Sequence, residues 1–348
     1  MKALMKLEKG FNNMKVVDID EPEVKEDLVK IKVKYCGICG SDLHAYQGTY
    51  PSTIPPVVLG HEFAGEVIDI GPKVQNINIG DRVTSETTFA TCNNCEQCKT
   101  KNYNLCSKRK GLGTQVNGAM SAYVLSREES VHVLDENVSY LSAALSEPLS
   151  CGVHASLEKV EVQKEDTVCV FGPGTIGILL AMVAKSKGAR VIVAGVTKDE
   201  KRLELVKKLG FISVDQQKED LKAIIDEHTQ GNGVDFSFEC SGVVKALNTA
   251  LAITKKRGTI VQMGVFAKDF NEIDTQSILQ KEINYIGSRS QKPSSWQKTM
   301  KILSDQVISP EQIVTSIISL ENWKDGFENS IAAKDIKVVI DLEKDGPC

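Results

Sequence analysis

From about residue 155 the chain repeats one pattern: a short apolar run, a glycine, then a stretch with helical spacing. Thr167–Phe171 reads as a buried strand ending at Gly172, Thr175–Lys187 as a helix, and Gly188 stands where a helix C′ glycine belongs. Strand Arg190–Ala194, helix Asp199–Leu209, strand Val234–Glu239, helix Val243–Ile253 and strand Thr259–Met263 follow. Strands separated by helices run parallel, so this half is expected to form a doubly wound α/β sheet covered on both faces. Residues 1 to about 150 have another texture. Val29–Val33 alternates at period two, Gly65–Gly71 is strand-like between glycines, and prolines 51, 55 and 56 mark a loop. That half is expected to be β-rich. After Gly287 the pattern is mixed again, and the chain is expected to return to the first domain.

The first strand-to-helix turn of the repeating half is Gly172-Pro173-Gly174-Thr175-Ile176-Gly177. This G-x-G-x-x-G allows a tight turn, close approach to a pyrophosphate and tight helix–strand packing, with the helix N-terminus facing the anion. It is either a dinucleotide site or a glycine-rich turn that binds nothing. An acid about 20 residues further on would select NAD(H). The chain reads Ala194-Gly195-Val196-Thr197-Lys198 there, with no acid at the strand tip. Gly195 leaves room, Thr197 offers a hydroxyl, and Lys198 or Arg202 could pair with a 2′-phosphate. NADP(H) is therefore favoured over NAD(H). Against this, Thr197 and Glu200 also spell a capping box, and Asp199 could reach a ribose.

Cys92, Cys95, Cys98 and Cys106 place four sulfurs within 15 residues, among polar neighbours. That density suits a closed, tetrahedral structural zinc, with a disulfide pair as the alternative. Cys36, Cys39, Cys151, Cys169, Cys240 and Cys348 are scattered, as in a reduced cytosolic protein. A second constellation comprises Cys39, Ser41, His44, His61, Glu62 and Glu147. Cys, His and carboxylate are what a catalytic zinc takes, and such an ion acidifies a bound alcohol and polarises a carbonyl. Each could equally be structural, and Cys36 with Cys39 could be a redox pair.

With 348 residues the chain has room for two cores, and 41% hydrophobic with 25% charged residues is ordinary for a soluble protein. A net charge of −4 with mixed signs argues against nucleic acid or an anionic membrane as partner. The start, MKALMKLEKG, is not read as a secretory signal, and the most apolar stretch, Ile176–Ala184, is too short to span a bilayer. A cytoplasmic location is expected.

Five motifs in order carry a resemblance over nearly the whole chain: G-I-C-G-S-D at Gly37–Asp42, G-H-E at Gly60–Glu62, the cysteine lobe, S-E-P-L-S at Ser146–Ser150 and G-P-G-T-I-G at Gly172–Gly177. The combination resembles the zinc-dependent medium-chain dehydrogenase/reductase family, especially its polyol (sorbitol-like) branch. The resemblance implies a GroES-like catalytic domain (1–152 and 288–348, zinc lobe 90–108) and a Rossmann domain (153–287), with the active site in the cleft between them. It implies two zinc ions per chain, a small-molecule alcohol or ketone as substrate, and a homodimer or homotetramer. Cys39 and His61 would hold the catalytic zinc with Glu62 or Glu147. Ser41 would bind the substrate hydroxyl, and His44 would pass its proton to water. The glycine at 195 departs from the NAD-using pattern, and Arg289 falls where polyol dehydrogenases place an arginine near the cleft. The expected activity is reversible hydride transfer between a secondary alcohol, first a polyol, and a nicotinamide. Alternatives are a threonine-type amino-alcohol or simple secondary-alcohol dehydrogenase, a zinc-free reductase and an inactive zinc-binding structural or regulatory homologue. A sugar phosphate is disfavoured because no basic cluster adjoins the motifs.

Overall fold

Strand order explains how residues far apart in the chain become neighbours. The computed structural model describes residues 1–344, so Cys348 lies outside the described residues. The described residues divide into two compact units, 1–150 with 291–344, and Cys151–Ser290.

The second unit is built on a six-stranded sheet. Ile212–Asp215, Arg190–Gly195, Thr167–Phe171, Val234–Glu239, Thr254–Gln262 and Asn284–Gly287 lie side by side in that order, every pair parallel. The chain therefore starts in the middle and turns back past Thr167–Phe171, the switch point at which open α/β sheets bind ligands. Thr167–Phe171 is buried throughout, as its uninterrupted apolar run requires. The helix Thr175–Ser186 is nearly all apolar and buries seven residues; it ends where Gly188 takes φ +85°. The helix expected over Asp199–Leu209 opens instead as a 3-10 turn, Thr197–Asp199, continued by Glu200–Lys208. Its capping carboxylate is Asp199, which accepts the Val196 N–H at 3.3 Å, rather than a Thr197–Glu200 box. The strand expected to start at Thr259 begins at Thr254, with an irregularity in its pairing that periodicity does not reveal.

The first unit is β-rich. Its seven-stranded sheet runs Val131–Val133, Arg82–Ser85, Glu62–Ile70, Leu28–Gly37, Lys337–Asp341, Val314–Ile318, with Tyr123–Arg127 also paired to Leu28–Gly37. A smaller sheet joins Met14–Asp18, Lys2–Lys6 and Val57–Val58. The last strand of the chain thus inserts beside Leu28–Gly37, aligning Val339 with Gly37, and Gly37 pairs on its other side with Glu62. Val29, Ile31, Val33, Phe63, Val67, Met120 and Ile340 form the core of this unit.

Among the described residues no helix is long and apolar enough to cross a membrane.

Candidate active site and metal centres

The helix Gly40–Gln47 starts at Cys39, whose N–H donates to Asp42 Oδ2 at 2.9 Å, locking the turn that presents the Cys39 sulfur. His61 and Glu62 arrive from Gly60, which has φ +91°; a Cβ there would lie 2.7 Å from both Cys36 Sγ and Met120 Cγ. Only glycine fits this turn. As a result, donor atoms of Cys39, His61 and Glu62 all lie within 4.8 Å of one another. Cys36 is not in this group; burial holds it well above the ordinary thiol range, as a neutral thiol. Ser41 Oγ lies 3.4 Å from His61 Nε2, and exposed His44 approaches Thr49 Oγ1 at 3.3 Å through Nδ1.

The cluster is crowded with groups that compete for charge. Burial raises the pKa of Cys39, reinforced by Glu62 and opposed by His61. For His61, burial disfavours the cation, yet Asp42, Cys39 and Glu147 outweigh it and hold the imidazole well above its usual range. Glu147 is pushed up to about 7, first by burial and then by Glu62. His61 Nδ1 is buried without a hydrogen-bond partner. A thiol, an imidazole and a carboxylate, converging in a buried space, are the donor set of a divalent zinc. The residues fit the ion.

Three residues to which the sequence reading gave no role complete this centre. Asp42 is 2% exposed and faces His61 at 3.9 Å. Lys337, 1% exposed, forms an ion pair with Glu62 and donates to Ile38 O at 2.9 Å. Gly37 makes that pair possible, because a Cβ at this position would overlap both side chains. The available signal was a lone lysine opening the apolar strand Lys337–Asp341. Gln291 donates to Glu147 Oε1 at 2.8 Å. Glu147 is outside the close three-residue cluster, although its charge is felt by Cys39 and His61. Arg289 is exposed, just after the strand Asn284–Gly287.

The other cysteine group is built locally. Left-handed Asn93 (φ +57°) and Lys101 (φ +57°) fold the chain around the four sulfurs. Sulfur–sulfur distances are 3.5 Å for Cys95–Cys98, 3.7 Å for Cys92–Cys106 and 3.8 Å for Cys92–Cys98. Four sulfurs about 2.3 Å from one zinc would stand about 3.8 Å apart, so a tetrahedral ion fits without rearrangement. Hydrogen bonds from the N–H groups of Asn94 and Cys95 bring Cys92 down to about 6, favouring its thiolate. The described cysteines are all free, contrary to the disulfide alternative.

In the second unit, Gly172 takes φ +99°, and a Cβ at Gly177 would overlap Gly172 O. Gly174, the N-cap of Thr175–Ser186, would carry a Cβ with nothing within 4 Å. The outer glycines thus serve packing, while Gly174, with the N–H groups of Thr175 and Ile176 following it, leaves a cradle for a pyrophosphate. At the next strand tip, a Cβ on Gly195 would meet Pro173 Cγ at 3.0 Å and Leu203 Cδ2 at 3.1 Å. Thr197 donates its hydroxyl to Asp215 Oδ2 at 2.8 Å, and Arg202 lies 3.7 Å from Asp199. Lys198 is exposed. Asp215 is an acid the sequence reading missed: it sits on the adjacent strand, in register with Gly195. The Gln217 N–H, the Thr197 hydroxyl and Lys218 hold its pKa low against a smaller burial effect than they supply together.

Comparison with known proteins agrees with both units. The family model "Alcohol dehydrogenase GroES-like domain" matches residues 25–136, and "Zinc-binding dehydrogenase" matches 175–305. The chain is 47% identical to the D-arabitol-phosphate dehydrogenase of Enterococcus avium, covering 98% of this chain and 97% of that protein. It is 42% identical to a sorbitol dehydrogenase of Halalkalibacterium halodurans, covering 98% and 99%. A zinc-binding dehydrogenase from Sinorhizobium meliloti 1021, solved with NADP, superposes with a TM-score of 0.90 at 30% identity, covering 98% and 99%. With its buried thiol–imidazole–carboxylate cluster and its glycine cradle, the chain belongs to the zinc-dependent medium-chain alcohol dehydrogenase family, within the polyol dehydrogenases.

Proposed function

We propose that this polyol dehydrogenase binds two zinc ions, one at Cys39, His61 and Glu62 with Glu147 as an exchanging fourth ligand, and one in the cysteine lobe. The carrying observation is the convergence of three unlike donors, a thiol, an imidazole and a carboxylate, within 4.8 Å. When bound, zinc acidifies an alcohol and polarises a carbonyl, and the nicotinamide takes up or returns hydride. The protein's own part is positional. Ser41 Oγ would take the substrate's hydroxyl proton while releasing its own to the nicotinamide ribose hydroxyls, from which exposed His44 would hand a proton to solvent. Lys337 holds Glu62 and Gln291 holds Glu147, so each carboxylate has a second partner beside the metal it would ligate.

For the dinucleotide the reading is NADP(H), in the cradle of Gly172, Gly174, Thr175, Ile176 and Gly177. No acid stands at the tip of Arg190–Gly195, and exposed Lys198 is available to a 2′-phosphate. Asp215 is already engaged by Thr197 and Gln217, with Lys218 3.6 Å away, which softens its repulsion of a phosphate. Free cysteines fit a cytoplasmic enzyme, and its assembly is read as a homodimer or homotetramer. The test combines metal analysis with assays of polyols, simple secondary alcohols and threonine in both cofactors. Two zincs and NADP-linked polyol oxidation are expected, with Lys198→Ala weakening NADP(H) more than NAD(H). One zinc in an active enzyme would refute the two-metal reading, and an unchanged cofactor ratio would refute the role of Lys198.

A further inference from the structure

The cysteine lobe is inserted between two short strands, Thr88–Ala90 and Lys110–Gly111, which pair antiparallel and close its base. Cys106 thus stands just ahead of Arg109 in the chain, and the Arg109 N–H donates to Cys106 O at 3.0 Å. The Arg109 guanidinium turns back across the base of the lobe. Nε donates to Thr88 Oγ1 at 2.9 Å and Nη2 to Thr87 Oγ1 at 2.8 Å, one fork on two adjacent hydroxyls. Gly111 makes room for it, since a Cβ there would lie 3.1 Å from Nη1. A rigid planar fork suits such a pair of acceptors, and a lysine ammonium does not.

The hydrogen bonds continue beyond the lobe. Thr87 is 4% exposed, and its Oγ1 also accepts from Gln291 Nε2 at 3.2 Å. Two donors occupy both lone pairs of that hydroxyl oxygen, so its place is set from two sides. Gln291, 2% exposed, gives its other amide proton to Glu147 Oε1 at 2.8 Å. Arg109, Thr87 and Gln291 therefore connect Cys106 to Glu147 inside the first unit, with no hydrogen bond longer than 3.2 Å. The charge of Arg109 is also felt at Glu147. Hydroxyl, amide and carboxylate are all buried, where an unmade hydrogen bond is costly, so a shift of one member moves the next. The lobe supplies the two discrete states that such coupling needs, filled and empty of metal.

We propose that Arg109 is a positioning residue that carries the state of the cysteine lobe to Glu147: a filled lobe holds this carboxylate where it serves the catalytic zinc, and an empty lobe releases it. The lobe then has a part in the reaction beyond stabilising the fold. This rests on the two-metal reading above.

The test measures zinc affinity at the catalytic site of the full-length protein by competition with a chromophoric chelator, with Cys39→Ala as the blank, alongside kcat for a polyol. Arg109→Lys keeps the charge and loses the fork, whereas Thr87→Val is nearly isosteric and loses the hydroxyl. Each should weaken zinc at the catalytic site about tenfold or more, as loss of an outer partner of a metal ligand does, and leave lobe zinc and dinucleotide affinity in place. Thr87→Ser, which restores the acceptor, should recover most of the loss. Cys106→Ser should weaken the catalytic site by a similar factor, and adding Arg109→Lys to it should change little more, because both break one path. Unchanged affinity in Arg109→Lys and Thr87→Val, or full additivity in the double variant, overturns the inference. Loss of the lobe zinc from Arg109→Lys also overturns it, since Arg109 would then serve the lobe alone. A wild type holding one zinc would sink the two-metal reading, and this inference with it.

Discussion

Replacing Lys337 with methionine tests the electrostatic logic of the catalytic cluster. The substitution keeps the length of the side chain but removes the cation facing Glu62, itself 1% exposed and close to Cys39 and Glu147. Removing one partner of a buried ion pair costs about 3–5 kcal/mol. The Ile38 carbonyl also loses a donor, worth about 1 kcal/mol. Zinc at Cys39, His61 and Glu62 would replace the missing positive charge, so the loaded protein should lose less than half as much. Urea unfolding read by tryptophan fluorescence isolates the effect, because both tryptophans, Trp296 and Trp323, lie in the first unit. The expectation is a loss of about 4 kcal/mol in chelator-treated protein, well below that with zinc. A loss under about 1 kcal/mol without metal, or equal losses with and without it, would refute the argument.

Three further outcomes follow from the same geometry. In metal-free protein Glu147 is raised to about 7 by burial and by Glu62, so its stabilising contribution is complete below the ordinary glutamate pKa and is lost as pH rises through 7. Stability of the metal-free first unit should fall by about 3 kcal/mol between pH 4.5 and 8, and Glu147→Gln should flatten that profile in unfolding titrations. Gly174→Val should leave the melting temperature nearly unchanged yet weaken dinucleotide binding at least tenfold by calorimetry, whereas Gly177→Val should destabilise the second unit outright, since its Cβ overlaps Gly172 O. Cys106→Ser should remove one zinc per chain by elemental analysis and lower thermal stability, with Cys39→Ala removing the other zinc, abolishing turnover and sparing dinucleotide affinity.

The parallel sheet, the glycine cradle and the cysteine lobe were legible in the chain because each is a property of neighbours in sequence. Alternating runs set strand and helix, Gly172–Gly177 makes one turn, and four cysteines within 15 residues can meet without help from the rest of the fold. His61 and Glu62 were legible as chemistry, but their partners were not. Lys337 reaches Glu62 from 275 residues away because the last strand pairs beside Leu28–Gly37, and Gln291 reaches Glu147 from 144 residues away. Asp215 escaped notice because it lies on the adjacent strand, where parallel pairing sets it beside Gly195 and engages the Thr197 hydroxyl read as free for cofactor. Composition and spacing thus determine which elements form and which chemistries are available. Strand order and register decide which charges face each other, because burial brings together side chains whose separation in the sequence carries no trace of the contact.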